Sequence, residues 1–512
     1  MNIGELQVNL YQLEEIKGGV KLQIVTRDTR EVKLFINGEY VESSKKDRFI
    51  VKDPATQEVI AKVHEATEKE VDMACQAARQ AFENGPWRTM PLSERLEKVR
   101  KMSEIILERK EELARLEALD VGKPYQVALE REIPRSAHNL KFFADFVEQQ
   151  SGEVFPMDED YLNYTRYEPV GVAGLITPWN LPFMLTTWKL GPALAGGNTV
   201  VIKPAEATPL TVSLLGEIAK EAGIPDGVVN VVHGFGPNSA GQYITEHPEV
   251  DLISFTGETR TGASIMKAGS DSLKRVSFEL GGKAANIIFE DADLEKAIPE
   301  SINAAFLNSG QVCLAGSRIL VQRNILDEFL ERFTKAASEL KVGDPQDPDT
   351  DMGPVVSEEH YQKVTSYLDV AKAENAKLIY GGKAPKLEGR LKNGYYLEPT
   401  IYLQEDATTR LCQEEIFGPI VTIVPFDTEE EALEIANNTE YGLNGVIWTE
   451  SLTRAHRVSH KVRAGTIWVN CWFVRDLRAP FGGYKKSGIG REGGRHSMDF
   501  FTEAKTICIS LK

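Results

Sequence analysis

Cys313 is the residue whose surroundings best suit nucleophilic chemistry. It lies in NSGQVCLAGS, between a helical stretch at 300–307 and the strand-like run SRILV, so small and turn-forming residues frame its thiol. A thiol open to a carbonyl compound can form a covalent adduct that divides one hard reaction into two easier ones. Access alone does not decide the matter, because a free cysteine is more often an inert buried hydrophobe. The other four, Cys75, Cys412, Cys471 and Cys508, are scattered without a C-x-x-C pair, which suits a reducing compartment better than a disulfide framework. His456 and His460 stand four residues apart, but the intervening RVS lacks the glutamate of H-E-x-x-H, so a solvated helix face is expected and no metal.

A second group of residues is of the kind that holds a nucleotide. Lys203 and Glu206 in VVIKPAEATP close a strand-like run. Ligands bind at the carboxyl edge of an open α/β sheet, where a carboxylate can accept from both hydroxyls of a ribose and repel a 2′-phosphate. A solvated lysine and glutamate on a loop is the alternative. No G-x-x-x-x-G-K-[ST] loop occurs, and the nearest dinucleotide-type stretches are Gly234-Phe-Gly236 with Gly241, and Gly257 with Gly262. Neither completes G-x-G-x-x-G, although such strand-to-helix turns do aim amide donors at a phosphate.

The elements that must position these residues can be read from periodicity. From 170 onward the apolar runs VGVAGLIT, TVVIK, GVVNVVHG and LISFTG alternate with helical stretches such as 207–222, the pattern of a parallel sheet with crossover helices. The runs lack polar alternation, as strands covered on both faces do. A second α/β series follows 282, with AANIIFE and SRILV as strands. Its helix over 324–341 carries Ile325, Phe329, Phe333, Ala336 and Leu340 on one stripe and is expected to end at Gly343. Upstream, Asn37-Gly38 in LFINGEYV signals a hairpin. Thr67 and Glu70 have capping-box form ahead of a helix that buries Val71, Ala74, Cys75, Ala78 and Phe82. One long charged helix is expected over 92–119.

Composition limits the classes of function. With 512 residues the chain has room for about three domains of ~150 residues and needs neither disulfide nor structural metal to fold. Its 59 basic and 76 acidic residues leave a formal charge of −17, which would repel a polyanion, so nucleic acid is not an expected partner. No run approaches the ~18 apolar residues of a membrane span. The start MNIGELQVNLYQLEEIKGG carries acids where a signal peptide needs a basic region, so a cytoplasmic location is expected.

Seven motifs then accumulate into a resemblance: TPWNLP at 177–182, VIKPAEATP, FTGETRTG at 255–262, FELGGK at 278–283, NSGQVC, EEIFGPI at 414–420 and PFGGYKKSGIGRE at 480–492. In their order and spacing the chain resembles the aldehyde dehydrogenase superfamily, from about Leu34 to Cys508. The resemblance implies an α/β fold with a Rossmann-type NAD-binding domain (34–146 and 170–281), an α/β catalytic domain (282–482), and a small β oligomerisation element (147–169 and 493–512) behind an N-terminal arm (1–33). By the same resemblance Cys313 is the nucleophile, and the oxyanion is met by the Asn180 side chain and the Cys313 N–H. Glu279 is the general base for thioester hydrolysis. For NAD, Lys203 and Glu206 would hold the adenosine ribose, Glu415 the nicotinamide ribose, and Gly236 and the backbone at Gly257 would line the cofactor path. Phe417 would pack beside the ring and Trp179 would line the cleft. Glu258 departs from the family pattern, which has serine there in many members. An inward carboxylate would repel the cofactor, so Glu258 is expected to turn outward.

Substrate choice must come from side chains outside this machinery. NCWFVRDLRAPFGG at 470–483 places Arg475 and Arg478 on one loop, and ALEREIPRS places Arg131, with Arg135 one turn further on. A guanidinium fork fits a carboxylate, although a surface or interface ion pair is the alternative for both loop arginines. Arg131 with Arg475 resembles the branch acting on muconic semialdehydes, which carry a carboxylate at one end and the aldehyde at the other. The 2-aminomuconate 6-semialdehyde is placed first and 2-hydroxymuconic semialdehyde second. A general aldehyde dehydrogenase, a CoA-acylating or thiol esterase enzyme, and a catalytically silent member are the competing readings. A homodimer or homotetramer is expected.

Overall fold

Five short strands lie parallel in the spatial order Val229–Val231, Thr199–Lys203, Val172–Ile176, Leu252–Thr256 and Arg275–Glu279, the inner three largely apolar because both faces are covered. Antiparallel strands close both edges, Leu34–Ile36 with Glu39–Val41 on one side and Gly488–Ile489 on the other. Alternate residues of each strand feed opposite layers. Val200 and Ile202 pack with Phe143, Phe183 and Leu190 of two helices, whereas Val201 packs on the other face with Val71 and Ala78 of helix Glu68–Glu83. The strand order reverses between Val172–Ile176 and Leu252–Thr256, the point at which such sheets open a crevice for ligands. The expected doubly wound arrangement is therefore present.

A computed structural model describes residues 29–512, together with the backbone of strands Tyr11–Ile16 and Gly19–Ile24, which pair antiparallel. The remainder of the expected arm lies outside the described residues. Arg30–Val32 pairs with Val59–His64 in a small sheet beside Arg48–Lys52.

The second sheet runs Lys377–Tyr380, Thr400–Leu403, Ile420–Phe426, Arg318–Gln322, Ala285–Ile288, Asn444–Trp448 and Thr466–Val469, parallel but for its first pair. A third sheet joins distant parts of the chain, Thr502–Ser510 pairing with Tyr161–Pro169 along its whole length and Val154–Phe155 on the far side. Among the described residues no helix is long and apolar enough to cross a membrane.

Local signals behave as their chemistry requires. Asn37 and Gly38 both take positive φ, 51° and 79°, in the hairpin turn, and Thr67 forms the reciprocal capping box with Glu70. Three expectations need correction. The stretch 92–119 is two helices, Leu92–Glu108 and Lys110–Val121, broken at Arg109, whose guanidinium is drawn to Glu112 (2.9 Å) and Glu217 (2.6 Å). The stretch 207–222 is helical only from Val212, because Asp120 Oδ2 takes the Leu210 N–H at 2.8 Å and holds the preceding turn away from helix. The helix expected over 324–341 ends at Ser338, and Gly343 does not cap it; its N–H bonds the Met352 carbonyl at 3.1 Å.

Candidate active site

The carboxyl edge of the first sheet faces the amino edge of the second, and the loops between them supply the site. Trp179 and Asn180 follow strand Val172–Ile176, Lys203 ends its own strand, and Glu279 closes Arg275–Glu279. From the other side come Gly281 and Gly282 ahead of Ala285–Ile288, Cys313 ahead of Arg318–Gln322, and Glu415 and Phe417 ahead of Ile420–Phe426.

Cys313 is half-buried and follows an unusual turn, in which Asn308, Ser309 and Gly310 have φ of 52°, 57° and 73°. A Cβ on Gly310 would collide with the Gly418 carbonyl, so only glycine fits there. The Asn308 amide donates to the Asn180 carbonyl (3.0 Å) and the Gln311 carbonyl (3.3 Å), while Asn180 Nδ2 donates to the same Gln311 carbonyl at 2.9 Å. Asn180, 3% exposed, is thereby tied to the turn that presents the thiol. Burial, then the charges of Glu415 and Glu279, push the Cys313 thiol up to about 12, with Arg475 opposing.

Glu279 is buried, and neither carboxyl oxygen has a hydrogen-bond partner among the described residues. Burial and the nearby Glu492 carboxylate hold it well above the usual range, against the pull of Lys189, Arg475 and Arg491. Glu492 itself accepts from Trp188 Nε1 and Lys189 Nζ, both at 2.7 Å. Lys189 and Glu492 went unnoticed in the sequence, although Glu492 closes the PFGGYKKSGIGRE motif.

Along the groove, Lys203 is buried, donates to the carbonyls of Pro204 and Gly234 at 2.7 Å, and stands 3.7 Å from the exposed Glu206. A Cβ on Gly236 would meet nothing within 4 Å, so this glycine borders open space. Glu415 Oε1 accepts the Gly282 N–H at 2.8 Å, and a Cβ on Gly281 would collide with the same carboxylate. Phe417 and Trp179 meet edge to face at 5.2 Å, with His360 against Trp179 at 4.8 Å. Glu258 turns outward to Arg260 (2.7 Å) and Lys363 (3.8 Å). The Gly257 N–H bonds the Glu279 carbonyl at 3.1 Å, so a phosphate contact by the backbone around this glycine would use neighbouring amides.

Arg475 enters from a loop pinned by Trp468 Nε1 to the Val474 carbonyl (2.8 Å) and by Trp472 Nε1 to the Leu314 carbonyl (3.1 Å), next to the thiol. Its guanidinium lies 3.8 Å from the Phe481 ring centroid and 5.1 Å from that of Trp188. It has no ion pair among the described residues, and Nη2 has no hydrogen-bond partner. Burial, then the like charge of Arg135, lowers it to about 10. Arg135 is half-buried, its Nε donating to Asn139 Oδ1 at 3.2 Å; the Asn139 amide in turn bonds Met184 and Thr187, on the helix turn that carries Trp188. Arg131 is exposed on the π-helical turn Ala128–Glu132. Arg478 is exposed and paired with Asp476 at 2.6 Å.

Comparisons with known proteins agree with this geometry. The profile described as "Aldehyde dehydrogenase family" matches residues 40–507. A 2-hydroxymuconic semialdehyde dehydrogenase of Pseudomonas sp. (strain CF600) is 51% identical over 486 residues, 94% of this chain and 100% of that protein. A 2-aminomuconic 6-semialdehyde dehydrogenase of Pseudomonas sp is 45% identical over 486 residues, 94% of this chain and 98% of that protein. The solved NAD+ complex of an aldehyde dehydrogenase from Bacillus cereus superimposes with a TM-score of 0.91 at 45% identity, covering 94% and 97% of the two chains. With the thiol, the buried carboxylate and the facing sheet edges in place, the chain belongs to the aldehyde dehydrogenase family.

Proposed function

We propose that this enzyme uses NAD to oxidise a semialdehyde that carries a carboxylate, of the muconic type. The observation that carries the proposal is Arg475: a half-buried arginine whose Nη2 is buried without a hydrogen-bond partner, on a loop pinned by Trp472 to the residue after the reacting thiol, and without an ion pair among the described residues. A desolvated cation without an ion partner is costly, and an anionic ligand beside it offsets that cost. Relatives named for 2-hydroxymuconic and 2-aminomuconic semialdehydes act on acids of this kind. Exposed Arg131, on the same chain segment as Arg135, is free to join Arg475.

The groove fits NAD. Glu206 stands at the carboxyl edge where it can accept from ribose hydroxyls, Glu415 is cradled over a side-chain-free Gly281, and open space borders Gly236. Bound NAD supplies the acceptor for the hydride. Cys313 attacks the aldehyde carbon while its proton passes to Glu279, the nearby ionisable carboxylate. The oxyanion is met by Asn180 Nδ2, released from the Gln311 carbonyl, and by the Cys313 N–H, each such donor contributing ~3–4 kcal/mol. Once the carbon is oxidised, a thioester remains on Cys313. Glu279, unbonded to protein, gives up the thiol's proton to solvent and then takes a proton from water; the resulting hydroxide adds to the thioester, the C–S bond breaks, the sulfur recovers the proton from Glu279, and the acid is released.

In this proposal 34–146 with 170–281 form the NAD-binding domain, 282–482 the catalytic domain, and 147–169 with 493–512 the contact between subunits. The edge strand Thr502–Ser510 and exposed Val154, Phe155, Leu162 and Ile509 support that last assignment. Light scattering of the purified protein reads the oligomer.

The test is kcat/KM for the two muconic semialdehydes and a neutral aldehyde of equal length, each with NAD and NADP. Preference for the acids with NAD is expected; equal turnover of acid and neutral aldehyde would refute carboxylate recognition. Loss of turnover in Cys313→Ser, and an acyl mass on Glu279→Ala after mixing with NAD and aldehyde, test the two steps separately.

A further inference from the structure

Behind Asn180 lies a fully buried charged cluster that the mechanism above does not use. Lys123 Nζ is 0% exposed and makes an ion pair with Glu132; Glu117, also 0% exposed, stands 3.7 Å away. The third neighbour of the ammonium is the Asn180 backbone carbonyl, to which it donates at 3.0 Å. That carbonyl also receives Asn308, so both of its lone pairs are occupied, one from the thiol's own turn and one from Lys123. Thr211 Oγ1 donates to Glu117 at 2.8 Å and anchors the far end. Glu132 is delivered by the π-helical turn Ala128–Glu132, a geometry frequent at functional sites. An isolated buried ammonium is costly, and here two carboxylates and one carbonyl hold it in a single place.

We propose that Lys123 is a positioning residue for oxyanion stabilisation: held by Glu132 and Glu117, it fixes the backbone of Asn180 so that its side-chain amide meets the developing charge on the Cys313 adduct. This rests on Asn180 being the oxyanion donor, and the test separates the two claims. The pre-steady-state burst of reduced cofactor is measured for wild type, Lys123→Met, Asn180→Ala and the double variant, with NAD affinity measured alongside.

Lys123→Met is expected to slow the burst about 10- to 100-fold in the wild-type background, as a small misplacement of a reacting group does. It should slow it less than twofold once Asn180 is alanine, with NAD affinity unchanged throughout. Equal factors in both backgrounds, or an unchanged burst in Lys123→Met, would overturn the positioning role. A full burst in Asn180→Ala alone would instead refute the donor assignment. Should Lys123→Met not fold, Glu132→Gln, which removes the charge that holds the ammonium, enters the same cycle with the same two outcomes.

Discussion

The Arg475 guanidinium lies 3.8 Å from the ring centroid of Phe481, stacked on an aromatic face while lacking any carboxylate partner among the described residues. The ring supplies enough attraction to hold the cation in place but leaves its hydrogen-bonding edge free for a ligand. Removing the guanidinium should therefore raise KM for an acidic semialdehyde about 30-fold, ~2 kcal/mol, with little change for a neutral aldehyde. The same replacement removes a desolvated charge that has no ion pair among the described residues. Arg475→Met should accordingly melt at a higher temperature than wild type, and a lower Tm would show that the cation stabilises the free enzyme.

Glu279 gives a pH dependence with a definite sign. Its carboxyl group is held well above the usual range by burial and by Glu492, so the folded protein favours the protonated form. The stability this contributes is complete below the unfolded carboxyl pKa and is lost as pH rises toward the folded value. Glu279→Gln should thus gain in Tm relative to wild type as pH climbs from 4 through neutrality. Deacylation needs the ionised form and should speed up over the same rise. A stability difference that is flat with pH would show that Glu279 is ionised throughout.

Much of the fold was legible in the sequence because its signals are local. Asn37-Gly38 needs two positive φ values, and Thr67 with Glu70 closes a capping box within four residues. Cys313, framed by small residues, lies where its flanking turns place it. Long-range choices were not legible. Arg131 and Arg135 are one helical turn apart, and only the packing of Asn139 against Met184 and Thr187 decides that Arg135 is the one drawn in, while Arg131 stays exposed. The break at Arg109 has neither Gly nor Pro to announce it, since the competing partner, Glu217, is 108 residues away. Lys123 reads as an ordinary turn lysine until Glu117, Glu132 and Asn180 surround it.

Glu415 titrates in a range where cofactor binding can be followed. Burial pushes it up to about 7, against the Gly282 N–H that it accepts. Ribose hydroxyls donating to this carboxylate favour its ionised form, so NAD binding should release protons near neutral pH. Calorimetry in buffers of different ionisation enthalpy reads that release directly. Glu415→Gln should abolish it and weaken NAD binding, whereas an undiminished release from the glutamine variant would place the titration elsewhere.

Phe417 adopts φ of 61°, a left-handed conformation that costs a residue with a side chain ~1–3 kcal/mol unless its surroundings hold it. His360 is what holds it: burial lowers the imidazole to about 4, so it is neutral at working pH, and Nε2–H donates to the Phe417 carbonyl at 2.7 Å. The ring also packs at 4.8 Å against Trp179, which itself meets Phe417 edge-on, so one histidine sets both aromatic walls. His360→Ala should free the Phe417 backbone and raise KM for NAD several-fold while leaving the chemistry on Cys313 intact, since no reacting group touches the imidazole. His360→Gln, which keeps an N–H donor of similar reach, should recover most of the loss. If alanine and glutamine raised KM equally, the ring's packing and not its hydrogen bond would be what orders the wall; if neither did, Phe417 would hold its conformation unaided.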